Sequence, residues 1–134
     1  MHKVYGKKGK DTPLPETYNQ SDMLMLSKLI YYQEILARGY WTSSGFVLKA
    51  ESYVKVKHNF EKSKPGIKAI KDELIRNNTL RYYDDEFYIL AKDIYFHSPS
   101  AAGELVQGHS SNGLLDWKNS NSVTLKDLLN KGKK

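Results

Sequence analysis

The 134-residue sequence predicts an α+β fold: a small, mainly antiparallel sheet packed with three to four helices and preceded by a flexible basic N-terminal arm. Three observations carry this expectation. Stretches with helical spacing and capping residues are interleaved with short β-branched and aromatic runs. Apolar residues make up 40% of the chain and charged residues 27%, ordinary globular usage that supports one buried core. The length matches the roughly 100 to 200 residues of a single domain. The expected divisions are the arm over 1–20, an N-terminal helix and linker over 21–44, and an α+β binding domain over 45–131.

Lys3, Lys7, Lys8 and Lys10, interspersed with glycines and followed by Pro13 and Pro15, show no periodicity and define the arm. A first helix is expected from a Ser21 or Asp22 cap to the basic last turn and terminal glycine at Arg38-Gly39. Its apolar residues, among them Met23, Leu26, Leu29, Ile30, Tyr31 and Ile35, spread too widely for one stripe, so it must be covered on more than one side. Packing on its own domain is one such cover. A second copy or a partner protein, contacting Met23, Leu26, Ile30 and Tyr31, is the other.

Phe46-Val47-Leu48 and Tyr53-Val54-Lys55-Val56 read as a strand or a bent pair of strands. Ser63 and Pro65 open a second helix that places Ile67, Ile70 and Leu74 toward the core and ends at Asn77-Asn78. Leu80 to Tyr83, the turn Asp84-Asp85 and Phe87 to Leu90 form a hairpin. Ser98 caps a third helix with Pro99 in its first turn and Gly108 at its end; Leu114 to Trp117 is a short strand or extended piece; Thr124 caps a terminal helix.

Several function classes lack their residues. The chain has no cysteine, which removes disulfides, thiolate metal sites and a cysteine nucleophile. No signal peptide and no run of ~18 apolar residues is present, so a cytoplasmic protein without a membrane partner is expected. There is no phosphate-binding glycine loop and no Gly-x-Ser-x-Gly elbow, and His2, His58, His97 and His109 lack ligand spacing. The acidic turn Asp84-Asp85-Glu86 lacks the spacing of a calcium loop. A binding protein without cofactor or metal is expected, rather than an enzyme.

A formal net charge of +6 and a pI near 9.3 favour polyanionic partners. Basic residues concentrate between Lys49 and Lys71, including Lys55 and Lys57. On the second helix Lys64, Lys68 and Lys71 recur at i, i+4 and i+7, a stripe that could follow a phosphate backbone or simply face water. Tyr82, Tyr83 and Tyr88 at the hairpin are read first as core residues, with base stacking open to any that are exposed.

Ser98-Pro99-Ser100-Ala101-Ala102, followed by Gly108-His109-Ser110-Ser111-Asn112-Gly113, Trp117 and Thr124-Leu125, resembles the domain of unknown function 4357. That module often lies C-terminal to GIY-YIG-type nuclease domains, and its ending is similar to the restriction-enzyme adenine methylase-associated (RAMA) domain. The resemblance covers Gly45 to Leu129. Departures are Gly103 for a third alanine, His109 for an arginine and Glu51 for a glycine. It implies a non-catalytic, DNA-reading module that accompanies DNA-cutting or DNA-modifying systems, such as those of restriction-modification and phage defence. The GIY and YIG motifs are themselves absent from the sequence.

The expected function is therefore a nucleic-acid-binding accessory module, with DNA as the ligand. Its expected contacts are Lys55, Lys57, Lys64, Lys68 and Lys71, the helix start at Ser98 and Ser100, and Ser110 and Asn112. The alternative is a protein-binding module that docks on a nuclease or other nucleic-acid enzyme as an inhibitor or counter-defence protein.

Overall fold

The computed structural model describes residues 3–6, 24–27, 35–42, 45–57, 65–109, 113–119 and 123–130. Its fold is α+β, as expected, but with two sheets. The first sheet has the order β1-β8-β4-β3-β2, built from β1 (Val4–Tyr5), β8 (Ile94–Phe96), β4 (Gly45–Leu48), β3 (Ile35–Thr42) and β2 (Leu24–Ser27). The second has the order β5-β7-β6, from β5 (Tyr53–Lys55), β7 (Phe87–Leu90) and β6 (Leu80–Tyr82). All pairings are antiparallel except β1 with β8. The helices are α1 (Pro65–Arg76), α2 (Pro99–Gln107), α3 (Gly113–Asp116) and α4 (Leu125–Asn130).

The first helix expected from sequence is replaced by strands. β2 and β3 pair in register from Leu24↔Gly39 to Leu26↔Ala37, and β3 continues against β4 from Gly39↔Leu48 to Thr42↔Gly45. The expected boundary at residue 45 therefore falls inside one hydrogen-bonded sheet. Gly39, expected to end a helix, is instead a buried strand residue under the Phe46 ring: a Cβ there would lie 2.7 Å from the ring edge and 2.6 Å from the Val47 carbonyl oxygen. Only glycine lets the two strands approach this closely. The arm also needs correction at its start. Val4↔Tyr95 and Tyr5↔Phe96 add β1 to the sheet, and Lys3 Nζ reaches both carboxylate oxygens of Glu73 on α1 at 2.9 Å. The remainder of the arm lies outside the described residues.

The helix α2 is the centre of the molecule. Ser98 Oγ accepts the Ala101 N–H at 3.1 Å, Pro99 occupies the first turn, and Gly108 closes the helix at φ 77° while donating to the Glu104 carbonyl. Six of its nine residues, Pro99 and Ala102 to Val106, are buried. α3 packs across its start, so Leu114 to Asp116 is helical where an extended piece was expected over Leu114 to Trp117, and Trp117 follows directly on the helix end. Gly113 permits that approach, because a Cβ there would lie 2.6 Å from the Pro99 carbonyl carbon. Ser100 Oγ accepts the Gly113 N–H at 2.9 Å, and Trp117 Nε1 donates to the Pro99 carbonyl at 2.9 Å. The Trp117 ring is fully buried 4.9 Å from that of Phe46. Thr124 Oγ1 accepts the Asp127 N–H and caps α4.

The link from β4 to β5 carries the chain from one sheet to the other. Asp93 accepts the Ala50 N–H at 2.7 Å and the Lys49 ammonium at 3.0 Å. Burial alone would raise the Asp93 pKa, and these two donors outweigh it and hold the carboxyl below its usual range. Glu51 stands at φ 73°, the left-handed region that favours glycine.

Candidate nucleic-acid interface

The second sheet is organised by local chemistry at both ends of β6. Asn78 takes the left-handed conformation at φ 63° after α1, and Asn77 Oδ1 accepts the Thr79 N–H, which redirects the chain into β6. Asp84 Oδ1 accepts the N–H groups of Glu86 and Phe87, each at 2.8 Å, and so closes the turn into β7. The register Arg81↔Ile89 and Tyr53↔Ile89 then decides which side chains share a face. Val54, Leu80 and Leu90 are buried inward with the core. Tyr53, Lys55, Arg81, Phe87 and Ile89 lie on the opposite, outer face by pleat alternation; on it Phe87 is buried, Tyr53, Lys55 and Ile89 are half-buried, and Arg81 is exposed.

Tyr83 extends this outer face beyond β6. Its ring meets Tyr53 edge-on at 4.9 Å, and Tyr53 packs in turn on Phe87 at 5.7 Å. The Tyr53 hydroxyl has a raised pKa, first through its hydrogen bond with Tyr83, then through burial and the nearby carboxylates of Asp84 and Glu51. Tyr83 is 52% exposed and Tyr82, whose hydroxyl donates to Asp85 Oδ1, is 71% exposed. Tyr88 alone of the three hairpin tyrosines is packed against the core. Among the described residues the exposed large apolar side chains are Val56, Tyr82, Tyr83 and Leu115, and the first three gather at the Asp84 end of this sheet.

The expected contacts fare differently. Lys55 is half-buried on the outer face and Lys57 is exposed just past β5. Lys71 is not on a solvent stripe: it is 4% exposed, and its Nζ donates to the carbonyls of Lys55 at 2.7 Å and Val56 at 3.1 Å, with the Tyr88 ring 5.9 Å away. Burial lowers its pKa to about 8, partly opposed by Asp72. Lys68 is exposed but forms an ion pair with Asp72 at 2.9 Å. The stripe is therefore broken, and Lys64 lies outside the described residues.

Ser98 and Ser100 do not form an open anion site, because their hydroxyls already accept the N–H groups of Ala101 and Gly113 and α3 lies over the helix start. Ser110, Asn112, Met23, Ile30 and Tyr31 lie outside the described residues, and Leu26 belongs to β2 rather than to a helix. Tyr53 and Arg81 were not anticipated as site residues. The signal was the period-2 alternation of Tyr53-Val54-Lys55 and of Arg81-Tyr82-Tyr83. Among the described residues no three His, Cys, Asp or Glu side chains are placed to hold a metal ion, and no helix is long and apolar enough to cross a membrane.

No curated protein and no solved structure matches the chain. The motif from Ser98 to Trp117 is a set of interlocked fastenings between α2 and α3, and it lies within residues 29–129, which match the family model described as a domain of unknown function (DUF4357). That match reaches further toward the N-terminus than the resemblance from Gly45 onward, taking in all of β3. The chain belongs to the DUF4357 family.

Proposed function

We propose that the protein is a non-catalytic nucleic-acid-binding module, with DNA as its ligand, of the kind that accompanies DNA-cutting or DNA-modifying enzymes. The observation that carries this reading is the outer face of the second sheet. There the charged side chains at strand positions, Lys55 and Arg81, are both basic and stand beside Tyr53 and the exposed Tyr83. The acids Glu51, Asp84, Asp85 and Glu86 are confined to the turns beyond the strand ends. The similarity to GIY-YIG-associated and RAMA modules supports the same reading. Much of the positive charge, on Lys7, Lys8 and Lys10 and on Lys131, Lys133 and Lys134, lies outside the described residues and adds sequence-independent attraction.

The test is a salt-dependent titration of the full chain against DNA. The logarithm of affinity falls linearly with the logarithm of salt concentration if phosphates are neutralised. Replacing Lys55, Lys57 and Arg81 together with glutamine reduces the magnitude of that slope by roughly 2 to 3 units. Affinity that is flat in salt, or undetectable at low salt, contradicts the reading. A protein-binding module is the second reading, favoured by the clustering of Val56, Tyr82 and Tyr83 beside the acidic turn. Its former basis, a broad apolar first helix, is lost with the replacement of that helix by β2 and β3.

A further inference from the structure

We infer that the outer face of the second sheet takes single-stranded nucleic acid, with unpaired bases stacked on Tyr83 and Tyr53 and the sugar–phosphate chain running along Lys55 and Arg81. This rests on the nucleic-acid reading above and narrows it to one class of ligand.

Reading a duplex requires an element that enters a groove, and the major groove admits an α-helix or a two-stranded ribbon. The described helices are poorly placed for that. α2 is buried along most of its length, and α3 and α4 have four and six residues. α1 turns outward Lys68, which is paired with Asp72, and Glu73, which is paired with Lys3, so its accessible side presents acids and bases alternately to the solvent. The second sheet is three strands wide and backed by α1 and α2, so it meets a ligand with its outer face rather than as a two-stranded ribbon.

What its outer face offers instead is the exposed ring of Tyr83 at its margin, backed by the half-buried ring of Tyr53. In a duplex the base faces are stacked on one another and cannot reach a ring that stands on a sheet. In a single strand they can, and each base so stacked contributes without regard to its identity. Tyr83 is more than half exposed at the margin, held edge-on against Tyr53, so one base can lie on it without the sheet rearranging. Two strand-borne cations suit the few phosphates of a short single strand. The carboxylates at Asp84 and Asp85 discourage a phosphate at the turn itself and direct the backbone toward Lys55 and Arg81.

The experiment is fluorescence anisotropy of the full chain with a labelled 12-nucleotide DNA single strand, the same sequence as a duplex, and the corresponding single-stranded RNA, all at one salt concentration. The single strand is expected to bind at least tenfold more tightly than the duplex. Tyr83→Leu is expected to weaken single-strand binding roughly tenfold while Tyr83→Phe keeps it, since stacking needs the ring and not the hydroxyl. The melting temperature of each variant verifies that the fold is kept. Tighter or equal binding of the duplex, or a Tyr83→Leu variant with the parent's affinity, overturns the inference and leaves the nucleic-acid reading standing. No binding to any of the three at low salt overturns both. The RNA arm identifies which sugar the same face prefers.

Discussion

Trp117→Ala is expected to destabilise the protein by about 3 to 5 kcal/mol, the range for removing a large buried ring. The ring is fully buried, lies 4.9 Å from Phe46, and its Nε1 donates to the Pro99 carbonyl. Truncation thus opens a cavity between the first sheet and α2, and it also removes the indole hydrogen bond to the Pro99 carbonyl. Chemical denaturation at 25 °C checks this, with the midpoint shifting at unchanged slope. Trp117→Phe separates the two effects, because it keeps most of the volume and loses the hydrogen bond. Its cost is expected to be the smaller. A variant Trp117→Ala that unfolds at the parent's denaturant concentration contradicts the packing described for α2 and α3.

The second large effect belongs to Lys71 and depends on pH. The folded-state pKa of about 8 lies below the unfolded value of 10.5. Between these two values the unfolded chain binds more protons than the folded one, so stability rises with pH across that window. Below pH 8 the ammonium is charged in both states and its burial is a constant cost. At about 1.4 kcal/mol per pH unit, the difference corresponds to as much as about 3 kcal/mol gained by pH 10.5. The hydrogen bonds from Nζ to the Lys55 and Val56 carbonyls favour the charged form and hold the gain below that figure. Tyrosines titrate in the same region, so the quantity to measure is the unfolding free energy of the parent minus that of Lys71→Met at each pH. This difference is expected to increase from pH 8 to 10.5. A difference independent of pH would place Lys71 in water.

Lys71 also shows what was legible in the sequence. Its spacing to Lys64 and Lys68 suggested a basic stripe, but Ile67, Lys71 and Leu74 stand at i, i+4 and i+7 as well, and that stripe faces the core. The apolar periodicity wins over the charge because the fold gives the ammonium two carbonyls. Elements announced by short-range chemistry were readable: α1 after Pro65, the turn at Asp84, the Ser98 cap with Pro99 and Gly108, and the Thr124 cap. β2 and β3 were not, because the stretch from Met23 to Gly39 is apolar in both a helical and an alternating phase. Pairing with β4, which is distant in preference rather than in sequence, decides between them. β8 is three residues long and directly precedes the Ser98 cap, too short for a periodic signal. The candidate site was half legible: Lys55 and Lys57 were named, whereas the company of Tyr53 and Arg81 depends on strand register.

Backbone amide shifts of the full chain titrated with a short DNA single strand test most directly whether nucleic acid is held on the outer face of the second sheet. Perturbations are expected to concentrate at Tyr53, Lys55, Arg81, Tyr83 and Ile89, with little change at Lys68 or across Ser98 to Ala102. Perturbations confined to α1 and the Ser98 helix start, with the second sheet silent, would contradict that placement.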